Sequence, residues 1–348
     1  MMLKTKLLER LKQIDIKNTQ EHHVALLPDF FVDHFVTLKK FDDTCSAMKE
    51  IVQQGGGNLP KIAQIIHQGG NAANTALALA RLGTSAHLIC RTNEFGLHLL
   101  KYFLGKEGVD LSGVKTDGKL AITTALEFGE EHTNIMLSDA GSVSDFSFEL
   151  LNECDKKTIA DADMACVLNW NLNKEGTTLA QKVFSFAKEH DTKTFFDTGD
   201  PSPRKEEIMS LMKNVFTNGD LDILGLNKNE LFHYSKIKAS SDEDLINAAR
   251  SLKQQISSRI DLHTERFACT INESCKTVQT LKISKIYRST GAGDAWNAGD
   301  IFAELLGFND DERLLFANAV AGYYVSSAKP VHPTVEDIIQ FISNEMQD

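Results

Sequence analysis

The chain lacks most features that would place it outside the soluble enzymes. No apolar run among its 348 residues approaches the roughly 20 needed to cross a bilayer. The six cysteines, Cys45, Cys90, Cys154, Cys166, Cys269 and Cys275, form no CxxC pair. Neither a zinc site nor a disulfide framework is expected, and reduced thiols in a cytoplasmic protein are. Six prolines are too few for a hinged linker, and no internal repeat or low-complexity tract is present. Basic residues are also scarce: 37 Lys and Arg stand against 48 Asp and Glu, a net charge of −11. That balance argues against a nucleic-acid binder, since phosphate contacts need clustered Lys and Arg. A small phosphorylated ligand stays possible, because backbone amides and a metal can hold it. No GxGxxG follows the first strand-like run, which disfavours a dinucleotide-binding oxidoreductase.

The charged, Leu-rich start is not expected to be a signal peptide. Leu3, Leu7, Leu8, Leu11 and Ile14 fall on one helical face, so residues 1–22 are expected to be a helical extension packed on the body. Beyond it, β-rich runs (Ser85–Cys90, Asp163–Trp170, Thr192–Asp197, Leu221–Leu226) alternate with helical spacing over Glu94–Lys106, Glu175–His190, Ser202–Lys213 and Asp242–Gln255. Such alternation means βαβ crossovers: a mostly parallel central sheet with helices on both faces and ligands at the strands' carboxyl ends. Two pieces break the pattern. Residues 34–66 contain Gly55-Gly56-Gly57 and no long helix. Ala121–Phe128 and Thr133–Leu137 read as strands around a Gly129-Glu130-Glu131 turn. Together they predict a small β-sheet lid, formed by about 34–66 and 117–140, on a single domain spanning 23–348.

Four motifs carry chemistry. Ser289-Thr290-Gly291-Ala292-Gly293-Asp294 places small residues at a helix start, leaving the amides of Ala292, Gly293 and Asp294 uncovered. Free N–H groups and the helix dipole attract anions there, and an acid beside them can take a proton from a hydroxyl. Gly69-Gly70-Asn71-Ala72-Ala73-Asn74 lets a ligand approach the backbone and offers two amide side chains suited to hydroxyls. Asn227 and Glu230, directly after an apolar run, share a helical face where water around Mg²⁺ is readily ordered. Asp33, within an apolar run expected to be the first strand, is costly to bury unless bonded, and sugar hydroxyls are natural partners.

In chain order these features resemble the ribokinase-like (PfkB) family of sugar and nucleoside kinases, from about residue 24 to nearly the end. Arg91–Gly96 followed by Gly108-Val109-Asp110 is similar to the stretch before that family's lid hairpin. The resemblance implies the three-layer ribokinase-like fold, with Asp294 as base and Gly291, Ala292 and Gly293 as anion hole. It assigns Asp33, Gly69, Gly70, Asn71 and Asn74 to the substrate. Asn227, Glu230, Thr264 and Asn318 go to the nucleotide, with Glu230 holding Mg²⁺ through water. Dimerisation through the lid is implied as well.

Three places depart from the family. Arg288 stands where an Asp usually helps hold a monovalent cation, and the matching C-terminal loop, Ser326-Ser327-Ala328-Lys329, lacks the usual glycine and carries a lysine. Activity without K⁺ is therefore expected. The nucleotide loop Asp261–Ala268 lacks its glycines, although Thr264 and Arg266 offer a hydroxyl and a charge to a phosphate. The segment Phe196–Arg204 leaves either Asp197 or Asp200 to face the ligand. The expected activity is ATP-dependent phosphorylation of a hydroxymethyl group on a sugar or sugar-like alcohol. A nucleoside kinase, or a sugar-binding regulatory protein with impaired catalysis, are the alternatives.

Overall fold

The computed structural model describes residues 2–15, 19–130 and 133–346. Its strands are β1 (His23–Leu27), β2 (Phe31–Leu38), β3 (Ala63–Gly69), β4 (Ser85–Leu88), β5 (Ala121–Phe128), β6 (Thr133–Asp139), β7 (Met164–Leu168), β8 (Lys193–Asp197), β9 (Ile223–Asn227), β10 (Arg259–His263), β11 (Phe267–Ile271) and β12 (Cys275–Gln279). The β-rich runs become strands of an eight-stranded sheet ordered β12-β11-β10-β9-β8-β7-β1-β4, with the Ser85–Leu88 strand at one edge and the others inside. Strands β4, β1, β7, β8, β9 and β10 are parallel, and an antiparallel β10-β11-β12 meander closes one edge. Within β1, Val24 and Leu26 face one core while Ala25 and Leu27 face the other. Burial on both faces explains why these strands read as continuous apolar runs.

A separate four-stranded sheet, ordered β3-β2-β5-β6, carries the two inserted pieces. The chain enters it from β1 through only Pro28, Asp29 and Phe30. Asp33 therefore lies on β2 of the small sheet, paired in register with His67 and Thr123, and not on the first strand of the large one. Glu131 of the expected turn lies outside the described residues. Residues 34–66 also contain a helix, Phe41–Gln53, where no long helix was expected. Asp42 and Asp43 suit the positive end of its dipole, and the chain leaves it toward Gly55. None of its side chains is buried, and Phe41 meets the Phe128 ring of the small sheet edge-on with centroids 5.3 Å apart.

The segment Ser202–Lys213, expected as one helix, is broken. A 3₁₀ stretch Ser202–Glu207, an α-turn Ile208–Leu211 and a π-turn Met212–Phe216 follow one another, with Arg204 at a non-helical φ of −127°. The helix Met2–Leu11 buries Leu7, Leu8 and Leu11, and Arg10 donates to Glu312 at 2.7 Å. No helix among the described residues is long and apolar enough to cross a membrane.

Helix Ala292–Leu305 packs against helices Asn71–Leu82 and Asp310–Ser326. Arg313, almost fully buried, bonds Asp300 of this helix and Asp261 of β10, fixing the helix against the sheet. A buried pair of this kind is costly to break, because removing one partner strands the other charge.

Candidate active site

Two glycine-rich helix starts face each other beyond the carboxyl ends of the strands, and they differ in one respect. At helix Asn71–Leu82 the N-terminus is already filled. The Asp29 carboxylate, which follows β1, accepts from Asn71 N at 3.0 Å, Ala72 N at 2.7 Å and Asn169 Nδ2 at 2.5 Å. Burial nevertheless pushes its pKa up to about 6, against the pull of those hydrogen bonds. Gly70, at φ +96°, permits this closeness: a Cβ there would meet Asp29 Oδ2 at 3.1 Å. Gly69 lies against Asp33, whose carboxylate would sit 2.3 Å from an added Cβ. Asp33 is likewise raised to about 6, first by burial and then by repulsion from Asp29.

At helix Ala292–Leu305 the N-terminus is open. Gly291 turns the chain at φ +82°, and a Cβ there would strike the Tyr324 hydroxyl at 2.8 Å. The Ala292 amide is engaged, donating to the Ser289 carbonyl at 3.1 Å in the turn itself. Of the three amides expected free, Gly293 N and Asp294 N therefore remain without an acceptor among the described residues. Asp294 is buried between the two starts and accepts from Asn74 Nδ2 at 2.8 Å. Burial drives its pKa well above the ordinary carboxylate value; the Asn74 bond opposes this, and Asp197, Asp29 and Asp33 add to it by repulsion.

Between Asp197 and Asp200, the structure brings Asp197 to Asp294. Asp197, buried at the end of β8, accepts from Asn297 Nδ2 at 2.6 Å. Asp200 turns to Ser202 and to Asn229 Nδ2 at 2.8 Å. Arg204 is tied to the carbonyls of Trp170, Asn173 and Lys174 and lies 4.2 Å over the Trp170 ring, so it braces the scaffold.

Asn227 and Glu230 form a reciprocal capping box. Asn227 Oδ1 accepts from the amides of Asn229 and Glu230, and Glu230 accepts from Asn227 N at 2.8 Å and Nδ2 at 2.7 Å. Burial raises the Glu230 pKa well above normal, and Asp197 and Asp200 repel it further. This all-oxygen, mutually repelling set fits a hard cation that keeps its waters. No group of three or more candidate ligands sits close enough for direct coordination among the described residues. Water-mediated contact is what this donor set offers Mg²⁺.

A cavity of about 950 Å³ extends from Gly293 past Asn227, Thr264 and Asn318, bringing the expected nucleotide residues except Glu230 into one lining. Asn318 Oδ1 accepts from Trp296 Nε1 at 3.0 Å. Two side chains do not do what the sequence suggested. The Thr264 hydroxyl serves its own turn, donating to the Phe267 carbonyl at 2.8 Å and accepting from the amides of Arg266 and Phe267. Arg266 pairs with Asp242 at 2.5 Å. Arg288 lies across the C-terminal loop, donating to the carbonyls of Tyr324, Ser327 and Lys329 through Nη1 and of Ala328 through Nη2, at 2.7–3.3 Å.

Sequence reasoning missed Asp29, Asn169, Asn297 and Tyr324. Only Asp29 left a usable signal, as a second acid in the same apolar stretch as Asp33.

A parallel sheet with two facing glycine-rich helix starts, a convergent set of carboxylates and an adjoining cavity define a kinase of the ribokinase-like fold, acting on small molecules. The pfkB family carbohydrate kinase model matches residues 47–337, and the chain belongs to that family. It is 25% identical over 291 residues to a 5-dehydro-2-deoxygluconokinase of Clostridium botulinum, covering 80% of this chain and 85% of that protein. In fold it is similar to Arabidopsis thaliana ribokinase solved with ribose and ATP (TM-score 0.74, 18% identity, 92% of this chain and 98% of that one). The adenosine kinase of Sinorhizobium meliloti is similar as well (TM-score 0.72, 15% identity, 94% and 100%). The chain is a carbohydrate kinase.

Proposed function

We propose that the chain transfers the γ-phosphoryl group of ATP to a hydroxymethyl group of a sugar or sugar-like alcohol, with Asp294 as the base. One observation carries this reading: Asp294 stands beside the open helix N-terminus while Asn74, from the other start, holds its carboxylate. The N-terminus filled by Asp29 has no room for a phosphate and suits hydroxyls. Asp33, Gly69, Gly70, Asn71 and Asn74 therefore take the sugar. The open N-terminus takes the transferring group, with Gly291 and Ala292 shaping the turn and the Gly293 and Asp294 amides donating.

In the proposed step the sugar hydroxyl gives its proton to Asp294 as its oxygen attacks in line. The raised pKa of Asp294 makes the carboxylate a stronger base than a solvated one. Asn227, Thr264 and Asn318 border the nucleotide, Thr264 through its turn rather than its hydroxyl. Glu230 would hold Mg²⁺ through water, and the metal would offset phosphate charge. The Arg288 guanidinium, spread over four carbonyls, takes the place of a monovalent cation, so K⁺ is not required.

The small sheet is read as a lid over the sugar. Its exposed Ile65, Ile66, Ile135, Met136 and Leu137 suit a homodimer contact. Six free cysteines fit a cytoplasmic setting.

ADP release against a panel of hexoses, pentoses, sugar acids and nucleosides tests the reading. Stimulation by a sugar supports it, and nucleosides outperforming every sugar would move the protein to the nucleoside kinases. Tight sugar binding without sugar-dependent release would make it a binding protein.

A further inference from the structure

With Thr264 committed to its turn and Arg266 to Asp242, His263 and Glu265 are the other side chains of the β10–β11 segment that line the cleft, and of these two only His263 can donate to a phosphate. His263 ends β10, in register with Asn227 of β9, and lines the large cavity. Its ring stacks on the Trp296 indole, with centroids 4.8 Å apart and planes at 24°. Trp296 is itself held by its hydrogen bond to Asn318. The imidazole is therefore fixed, and its direction is informative. A Cβ on Gly293 would lie 3.5 Å from His263 Nε2, so this nitrogen points at the first turn of helix Ala292–Leu305. Nδ1 is buried with no hydrogen-bond partner among the described residues.

That arrangement selects a tautomer. Burial pushes the pKa down to about 4, so the ring is neutral near pH 7 and carries one N–H. A proton on Nδ1 would be a buried donor with nothing to receive it, which costs more than a bare acceptor. The proton belongs on Nε2, aimed at the mouth of the helix. For packing on Trp296 alone, a phenylalanine would serve and leave no nitrogen unpaired.

We propose that His263 is a phosphate-contacting residue, its Nε2–H donating to an oxygen of the ATP polyphosphate lying against the first turn of helix Ala292–Leu305. The contact rests on the reading of that helix start as the phosphoryl site. It adds a side-chain donor beside the Gly293 and Asp294 amides, on the face of the site that the loop residues leave bare.

His263→Phe keeps an aromatic ring on Trp296 and removes the donor. Calorimetric dissociation constants for Mg²⁺·ATP and for adenosine, on wild type and variant, isolate the phosphate contact. The variant is expected to bind ATP about tenfold more weakly, the scale of a hydrogen bond to a charged group. Adenosine affinity and the KM for sugar are expected to stay unchanged. Unaltered ATP affinity, or equal losses for ATP and adenosine, would overturn the proposal. If the phenylalanine variant melts well below wild type, His263→Leu gives the same comparison with the same expectation. An ATP-specific loss in a protein that shows no sugar-dependent ADP release would sink the kinase reading and leave the His263 contact standing.

Discussion

Asp294→Asn separates a base from a structural carboxylate, because the two roles move activity and stability in opposite ways. Asparagine has the shape of the side chain it replaces, and its amide oxygen can still accept from Asn74 Nδ2, now at 2.8 Å. What disappears is the capacity to take a proton. General bases contribute roughly 10²–10⁴-fold, about 3–5 kcal/mol of barrier. Turnover is expected to fall by that factor, with the affinities for ATP and sugar within about threefold of wild type.

The stability change is a matter of proton linkage. Asp294 has its folded pKa raised by burial, then by Asp197, Asp29 and Asp33, so the native state holds the proton more tightly than the unfolded chain. As pH climbs from the unfolded pKa through the folded one, ionising the buried acid costs folding free energy. At neutral pH the substitution removes that cost, and the melting temperature is expected to hold or rise. The acid limb of wild-type kcat should rise through a midpoint above the ordinary carboxylate range, and the variant's residual rate should lack that limb. Coupled ADP release, calorimetric binding and thermal melting supply the readouts. Turnover within tenfold of wild type, or lost sugar affinity together with a lower melting temperature, would refute the reasoning.

Two further substitutions test the flanking parts. Wild-type activity is expected to be the same in K⁺, Na⁺ or Tris, because Arg288 already occupies the four C-terminal carbonyls. Arg288→Met should lower activity and introduce stimulation by K⁺; a wild-type K⁺ requirement in kinase assays would contradict this. Gly69→Ala puts a Cβ where it would be 2.3 Å from the Asp33 carboxylate, which must move. The sugar KM should rise about tenfold or more, as when a hydrogen bond to a charged group is lost, with ATP affinity unchanged. Steady-state kinetics varying each substrate in turn would show a parallel ATP loss if the reasoning is wrong.

The sheet was legible because burial on both faces writes strands as apolar runs, as Ile223–Leu226 does. The open helix start was legible because only small residues and an acid suit it. Asp33 was legible as a buried acid but misplaced. The apolar stretch continues through Phe30 while the chain crosses between sheets, and only pairing with His67 and Thr123 reveals the change. Helix Phe41–Gln53 escaped because none of its side chains is buried and the three glycines that follow closely, Gly55 to Gly57, read as loop. Thr264 was read from its hydroxyl, yet a three-residue turn claims that group. The His263–Trp296 stack joins residues far apart in the chain, and nothing local to either one announces it.

The central claim is sugar-dependent phosphoryl transfer, and product stoichiometry tests it most directly. ADP and phosphorylated product would be quantified together by mass spectrometry for each sugar and nucleoside in the panel, with the Asp294→Asn variant alongside. One ADP per sugar phosphate in wild type, with both products falling together in the variant, is the predicted result. ADP formed without a phosphorylated sugar, or product formed equally well by the variant, would contradict the account.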